Sequence, residues 1–355
     1  MKAQRDIKTG KWFVQYRYTD WQGQRKKSTK RGFKTRREAE EWLRSFLMTN
    51  QGDFNMLFSD FLKLYYADME NRVRENTLRS KKYIIDLKVV PYFGKLQMSR
   101  IKPADIRKWQ DTLIKQGYAA TYLKTINNQL NAIFNYAVKY YDLKSNPCFK
   151  AGSMGKNNAG EMKFWTKQEF MKFIDCIMDK RQSYVAFMTL YWTGMRIGEL
   201  LALTPGDIDF EKRTISISKS YQRIDHRDVV TPPKTPKSKR VISIPEFLAA
   251  DLKDFIHSIY GIEEDNRLFP VTKYFLEHEM LRGIKASGVK RIRLHDLRHS
   301  HASLLIEMGF TPLAIADRLG HERIETTLNT YSHLYPNKRE QMANKLDEEY
   351  KESLL

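Results

Sequence analysis

Cysteine is nearly missing: Cys148 and Cys176 are the only two in 355 residues. Two thiols cannot build a disulfide framework, and both have apolar sequence neighbours, so they are expected to be buried free thiols of a reducing compartment. There is no CxxC pair and no HExxH, which removes the common zinc scaffolds. There is also no Walker-type glycine loop to cradle a nucleotide. No window approaches the ~18 consecutive apolar residues of a membrane helix. The first residues, MKAQRDIKTG, lack the apolar stretch of a secretory signal. These absences lead us to expect a soluble cytoplasmic protein with no metal, no other cofactor and no membrane partner; an excess of cations makes nucleoid association the further expectation. Acidic side chains are also in deficit, 42 Asp and Glu against 62 Lys and Arg, for a net charge of +20. Such a field captures polyanions, of which nucleic acid is the commonest. The cations are spread along the chain rather than gathered on one amphipathic helix, which argues against an acidic membrane surface.

What is present divides into segments. The chain is too long for one ordinary core, and 41% hydrophobic residues suffice for two or three folded domains. Residues 1–52 read as a small module. WFVQYRY (12–18) alternates as a strand does, a turn falls at Gly23, and a second, basic strand follows. Thr35 and Glu38 form a capping box for a helix with Ala39, Trp42, Leu43 and Phe46 on one face. The strands carry Arg17, Arg25, Lys26, Lys27, Lys30 and Arg31, a set suited to a DNA groove. Residues 56–149 read as all-helical: one helix from Phe58, one over 76–90, one from Pro103 to near Gly117, and one over 121–141. Arg79, Lys81, Lys82 and Lys124, with Arg72 and Arg74, fall mainly on polar faces that could grip phosphates. Residues 150–161, KAGSMGKNNAGE, have the composition of a flexible linker. Residues 162–355 form the last segment, with Thr166 and Glu169 as a capping box. An apolar helix around 184–192 stops at Thr193-Gly194, and a second helix, MRIGELLAL, follows it. Strands are expected at 214–217 and 240–245, with helices to the end.

In that last segment Arg196, His295, Arg298, His321 and Tyr331 combine two guanidiniums, two imidazoles and a phenol. Such a set suits attack on a phosphodiester better than metal binding or peptide chemistry. His295 and Arg298 are three apart and share a helix face, with His299 and His301 nearby. Thr311-Pro312 opens another helix, and Leu319-Gly320 ends it with Gly320 as a left-handed cap. Tyr335 and Tyr350 are alternative tyrosines.

Together, Thr193 to Leu200 (T-G-x-R-x-x-E-L), His295 to Ser303 (H-x-x-R and a small-residue helix), Leu319-Gly320-His321 and Tyr331 resemble the tyrosine recombinase (integrase) family. The resemblance covers the whole chain. It implies an arm-type DNA-binding module (1–52) made of a three-stranded sheet and a helix. A helical, SAM-like core-binding domain (56–149), a linker (150–161) and a mixed α/β catalytic domain (162–355) would follow. The fold class is therefore multidomain, mainly α with small β-sheets. The family lysine lies in a K-T turn before an R-x-I-x-I-P strand, which selects Lys234, with Lys237 and Lys239 as alternatives. By the same resemblance Tyr331 is the nucleophile and Arg196 and Arg298 clasp the non-bridging phosphate oxygens. His321 adds a hydrogen bond to those oxygens, and His295 exchanges the tyrosine proton. Lys234 protonates the departing 5′-oxygen. Glu199 orients Arg196 or the hairpin lysine. Neighbouring cations are expected to lower the phenol's pKa.

The activity implied is integration and excision of a phage or mobile element through a covalent 3′-phosphotyrosyl link, without metal or ATP. The implied partners are double-stranded attachment-site DNA, three further copies in a tetramer, and the excisionase and host DNA-bending protein the family commonly uses. Met342, Leu346 and Tyr350 form a stripe on a terminal helix that docks in cis or in trans. The alternatives are a Xer-like resolvase, which resembles only the last two domains, a non-catalytic DNA-binding repressor, and a metal-dependent nuclease.

Overall fold

The computed structural model describes residues 3–6, 9–19, 25–50, 56–157, 162–233 and 235–334. The chain separates into two compact units, Met1–Gly160 and Glu161–Leu355. Among the described residues no helix is long and apolar enough to cross a membrane.

The first unit contains two separate hydrophobic cores. In the smaller, β1 (Gln4–Arg5), β2 (Trp12–Thr19) and β3 (Arg25–Phe33) form an antiparallel sheet in that order. Helix α1 (Arg36–Asn50) packs on one face of it. The period-two pattern puts Val14 and Tyr16 inward against Ala39 and Leu43. At the start of α1 the Thr35 hydroxyl accepts from the Glu38 amide at 3.1 Å. The Glu38 carboxylate accepts from the Lys34 amide at 2.9 Å, one residue earlier than a capping box requires.

The larger core is all-helical: α2 (Phe58–Glu70), α3 (Glu75–Lys88), α4 (Val90–Phe93), α5 (Pro103–Lys115), α6 (Ala120–Tyr140) and α7 (Pro147–Ala151). Leu123, Ile126, Leu130, Ile133, Phe134 and Ala137 line the buried stripe of α6 at helical spacing. The segment read as a flexible linker departs from expectation. Ala151 and Met154 are buried in this core, and Gln110 donates to the Gly152 carbonyl at 2.9 Å. The reason is that a Gly- and Ser-rich stretch lets backbone lie close: a Cβ at Gly155 would stand 2.1 Å from the Ala120 carbonyl oxygen. Residues 158–161 of that segment lie outside the described residues.

The second unit begins with α8 (Lys167–Asp175), opened by the Thr166–Glu169 capping box, and α9 (Arg181–Thr193). Gly194 ends α9 in the left-handed conformation, φ 67°, and α10 (Ile197–Leu201) follows. This helix is shorter than expected. Strands β4 (Ile208–Asp209), β5 (Thr214–Ile217) and β8 (Arg240–Ser243) make one antiparallel sheet. Between β5 and β8 stands a hairpin the sequence reading missed, β6 (Ser220–Ile224) and β7 (Arg227–Thr231). Its Asp225-His226 turn has positive φ at both residues, as a tight hairpin demands, but without the usual glycine signal. Helices α11 (Glu246–His257), α12 (Lys273–Ser287), α13 (Asp296–Glu307), α14 (Pro312–Leu319) and α15 (Ile324–Tyr331) complete the unit. Trp165 is fully buried and ties the entry segment to α13, its amide donating to the Ser300 hydroxyl at 2.8 Å. Phe170 stacks on Tyr191 at 3.8 Å. Cys148 is buried, but Cys176, at the end of α8, is only half-buried, because the helix terminus leaves it at the rim of the core. The terminal stripe Met342, Leu346, Tyr350 lies outside the described residues, as does Tyr335.

Removing the fully buried Phe134 ring in α6 should cost ~3–5 kcal/mol. Calorimetry of the full chain carrying Phe134→Ala is expected to lower one transition and leave that of the second unit in place. A uniform shift of all transitions would contradict separate cores.

Candidate active site

The centre of the site is built by α13. Arg298, one turn into that helix, is 3% exposed. Its two terminal nitrogens reach in different directions: one donates to the Gly194 carbonyl at 2.8 Å, the other to the Leu319 carbonyl at 2.6 Å. Both carbonyls belong to left-handed helix ends, at Gly194 and Gly320. The same guanidinium therefore holds the loop that launches Arg196 and the turn that carries His321. Glycine at 194 is required twice over, by its positive φ and because a Cβ would meet the His301 ring at 2.5 Å. A guanidinium has five N–H donors, so two backbone bonds leave three for another ligand. Burial, with Arg196 and Arg240 adding repulsion, pushes the Arg298 pKa down to about 9, so the group remains charged at neutral pH.

Arg196 is the N-cap of α10, half-buried, with one nitrogen on Glu199 at 2.9 Å and another on the Gly320 carbonyl at 3.3 Å. Among the described residues Glu199, 4% exposed, is the buried acid in contact with Arg196. One of its oxygens also takes the Arg196 amide, closing a capping box. It holds a second arginine that the sequence reading passed over, Arg240, through contacts of 2.9 and 3.2 Å. Arg240 further donates to the carbonyls of Arg318 (2.8 Å) and Ser238 (3.0 Å). The available signal was the R-x-I-x-I-P strand itself, where an arginine at the strand start interrupts an otherwise apolar pattern. Burial alone would raise the Glu199 pKa, but the hydrogen bond and charge of Arg240, then the charge of Arg196, outweigh it and hold the carboxyl below its ordinary value.

His295 is the N-cap of α13, open to solvent on one side. Desolvation of its packed side, then the nearby Arg298 charge, lowers its pKa. His321 follows the Gly320 cap and bonds the buried Thr327 hydroxyl at 2.7 Å through Nδ1, leaving Nε2 for a ligand. Desolvation and the charges of Arg298, Arg196 and Arg240 push the His321 pKa down to about 4. His301 is committed elsewhere. Its Nε2 accepts from Arg318 at 2.9 Å, and because arginine only donates, that nitrogen carries no proton.

Tyr331, the last residue of α15, is 1% exposed. Its hydroxyl lies 2.8 Å from Nδ1 of His299. His299, one residue after Arg298, was noted in the sequence only as a neighbour. A lone histidine beside H-x-x-R gives no pattern by which to single it out. The expected lowering of the Tyr331 pKa is corrected: burial pushes it up to about 12, with Arg298 pulling the other way and losing. A phenol packed in the core loses more hydration on ionising than one buried cation restores. Lys234 lies outside the described residues, while Lys237 and Lys239 are exposed. Among the described residues no three His, Cys, Asp or Glu side chains are grouped to hold a metal ion.

The basic residues named for DNA divide by environment. Strand register puts Arg17 opposite Lys27 and Phe13 opposite Arg31, so these three cations share the open face of the small sheet. Lys30, paired with Val14, lies on the helix side, its ammonium 5.7 Å from the Trp42 ring. The side chains of Arg25 and Lys26 lie outside the described residues. In the helical core Arg79 is exposed. Lys81 is half-buried and bonds Gln129 at 3.0 Å, Lys82 pairs with Glu70 at 2.9 Å, and Lys124 bonds Ser153 at 2.7 Å. These three lysines already serve the domain's own packing.

Arg240→Ala should leave the buried Glu199 carboxylate with Arg196 but without its forked partner, and cost ~3 kcal/mol in chemical denaturation of the second unit. Arg240→Lys should recover only part of that, since an ammonium cannot make the forked contact. The folded pKa of Glu199 is depressed, so its stabilisation is complete above the ordinary value of 4.5 and is lost as pH falls through the folded value. Denaturation midpoints followed against pH should show a shallower acid limb in Glu199→Gln than in the parent chain.

Three family models match along the chain: the arm DNA-binding domain over residues 3–49, the phage integrase N-terminal SAM-like domain over 57–114, and the phage integrase family over 163–338. The ICEBs1 integrase of Bacillus subtilis (strain 168) is 34% identical over 305 residues, covering 82% of this chain and 83% of that protein. The Tn1549 transposon integrase in complex with circular intermediate DNA shares the fold with a TM-score of 0.66 at 21% identity, over 82% of this chain and 99% of that one. A lambda integrase tetramer bound to a Holliday junction matches with a TM-score of 0.59 at 17% identity, over 95% of this chain and 93% of that one. With the ordered motifs on one helix-centred cluster and a relative of this identity over most of both chains, this chain belongs to the phage integrase family of tyrosine-type site-specific recombinases.

Proposed function

We propose that the chain integrates and excises a mobile element by cutting and rejoining DNA through Tyr331. The observation that carries this reading is the Arg298 tie, which brings the Arg196 loop and the His321 turn to the helix whose next residue holds the tyrosine hydroxyl. In this reading the Tyr331 oxygen bonds to phosphorus while the bond from phosphorus to the 5′-oxygen breaks. The remaining donors of Arg298 and the Arg196 fork take the non-bridging oxygens, each such preorganised donor contributing ~3 kcal/mol to the transition state. Neutral His321, with Nδ1 accepting from Thr327, donates its Nε2 proton to the same oxygens. Lys234 protonates the departing 5′-oxygen, and His295 stands ready to exchange protons at the scissile linkage. The phosphotyrosyl bond conserves the energy of the broken linkage, so a 5′-hydroxyl of another strand reverses the step without ATP.

Paired attachment sites would be held by four copies, as the lambda integrase is held on its junction. The small module would reach a second class of DNA site, with Arg17, Lys27 and Arg31 against the groove and Arg79 against phosphate in the core-binding region. Glu199 keeps Arg196 aligned and is a positioning residue. An excisionase and a DNA-bending host protein fit the same reading, and they would bias direction by shaping the site.

A nicked suicide duplex spanning the end of the host element tests the proposal. The parent chain should become covalently linked to DNA in the presence of chelator, and Tyr331→Phe should form no adduct. DNA binding without any adduct would favour a repressor, and chelator-sensitive release of free ends would favour a nuclease. Separately, Arg17→Ala with Arg31→Ala should weaken arm-site binding and reduce the slope of log affinity against log salt by ~2. Filter binding at several salt concentrations measures that slope.

A further inference from the structure

We infer that His299 is a catalytic residue, the group that accepts the hydroxyl proton of Tyr331 as that oxygen attacks phosphorus. The inference deepens the proposed strand-cleavage reaction and rests on it. Its starting point is contact. Nδ1 of His299 lies 2.8 Å from the Tyr331 oxygen, with the two rings edge to face at 5.6 Å between centroids. A tyrosine buried to 1% exposure cannot pass its proton to bulk water, so the acceptor must be local.

Two of the other nearby imidazoles are committed elsewhere: Nδ1 of His321 is taken by Thr327, and Nε2 of His301 by Arg318. His295 occupies the N-cap position without a side-chain cap bond, its ring 5.3 Å from that of His299 and one helical turn before it, and the Tyr331 hydroxyl meets His299. His299 thus stands between the ring at the helix start and the nucleophile at the end of α15.

Its surroundings suit acceptance. Desolvation, then the neighbouring His295, Arg298 and Arg293, push the His299 pKa down to about 4, against an opposing pull from Asp296. His321 faces the same cluster. The ring is therefore neutral at physiological pH. With Tyr331 at about 12, the proton does not move in the resting pair. It moves as the oxygen–phosphorus bond forms, which makes the phenolic proton strongly acidic while the anionic phosphodiester raises the basicity of the imidazole. The balance closes: Oη–P forms, P–O5′ breaks, the phenol proton goes to Nδ1 of His299, and a separate donor protonates the 5′-oxygen. Religation runs the same transfer backwards, returning the proton to Tyr331.

The test uses single-turnover adduct formation by the full chain on two suicide duplexes spanning the element end. One has a normal scissile phosphate, the other a 5′-bridging sulfur, whose departure needs no proton. His299→Ala and His299→Gln should both slow adduct formation at least about 100-fold on both duplexes. Added imidazole should restore part of the rate to the alanine variant. Gln can hold the phenol but cannot carry its proton. A His299→Gln rate within about threefold of the parent, or full recovery of both variants on the sulfur substrate, would overturn the inference while leaving the cleavage reaction intact. If the parent chain forms no adduct on either duplex, the reaction itself fails and the inference with it. Should His299→Ala not fold, the Gln variant on the paired substrates decides alone.

Discussion

One buried guanidinium holds the catalytic unit's site together. Arg298 donates to carbonyls 104 and 21 residues away in sequence, and each lies at a buried helix end whose carbonyl would otherwise lack a partner. Helix ends of this kind carry partial negative charge and, with the nearby Glu199, offset part of the desolvation that lowers the Arg298 pKa. The remaining N–H groups stay available. The two glycines that close those helices follow from the same demand, since only left-handed residues turn the carbonyls toward the arginine.

Around this tie the charge is unbalanced. Arg196, Arg240 and Arg298 approach one another, and Glu199 is the buried carboxylate among them. Desolvation first, and the neighbouring like charges after it, lower the pKa of Arg298 and keep the His299 and His321 imidazoles neutral. A cluster of this composition lowers its own repulsion when an anion enters. A tetrahedral phosphodiester suits the two guanidinium forks better than a point anion does. For Tyr331 the same desolvation works in the other direction: burial keeps the phenol proton on.

How much was legible can be traced residue by residue. The helices around Phe58, Pro103 and Thr166 were readable because capping residues and 3.6-residue periodicity are local properties of the chain. Strands 214–217 and 240–243 were readable for the same kind of reason. The 220–231 hairpin was not, because its turn uses Asp225-His226 in place of the glycine that normally marks such a corner. The packed stretch 150–157 was misread since composition reports flexibility, whereas docking depends on what stands opposite. Lys81, Lys82 and Lys124 were read as phosphate contacts, and only the folded chain shows the partners each also has, Gln129, Glu70 and Ser153.

The order of Arg196, His295, Arg298, His321 and Tyr331 along the chain, with the spacing between them, was set by the amino-acid sequence and sufficed to suggest the chemistry. Capping, turns and periodic faces were likewise written locally. Which histidine meets the tyrosine, which arginine shares Glu199, and whether the phenol is raised or lowered were decided only by tertiary structure. Each of these depends on desolvation and on contacts between residues tens of positions apart, and neither quantity exists until the chain has closed on itself.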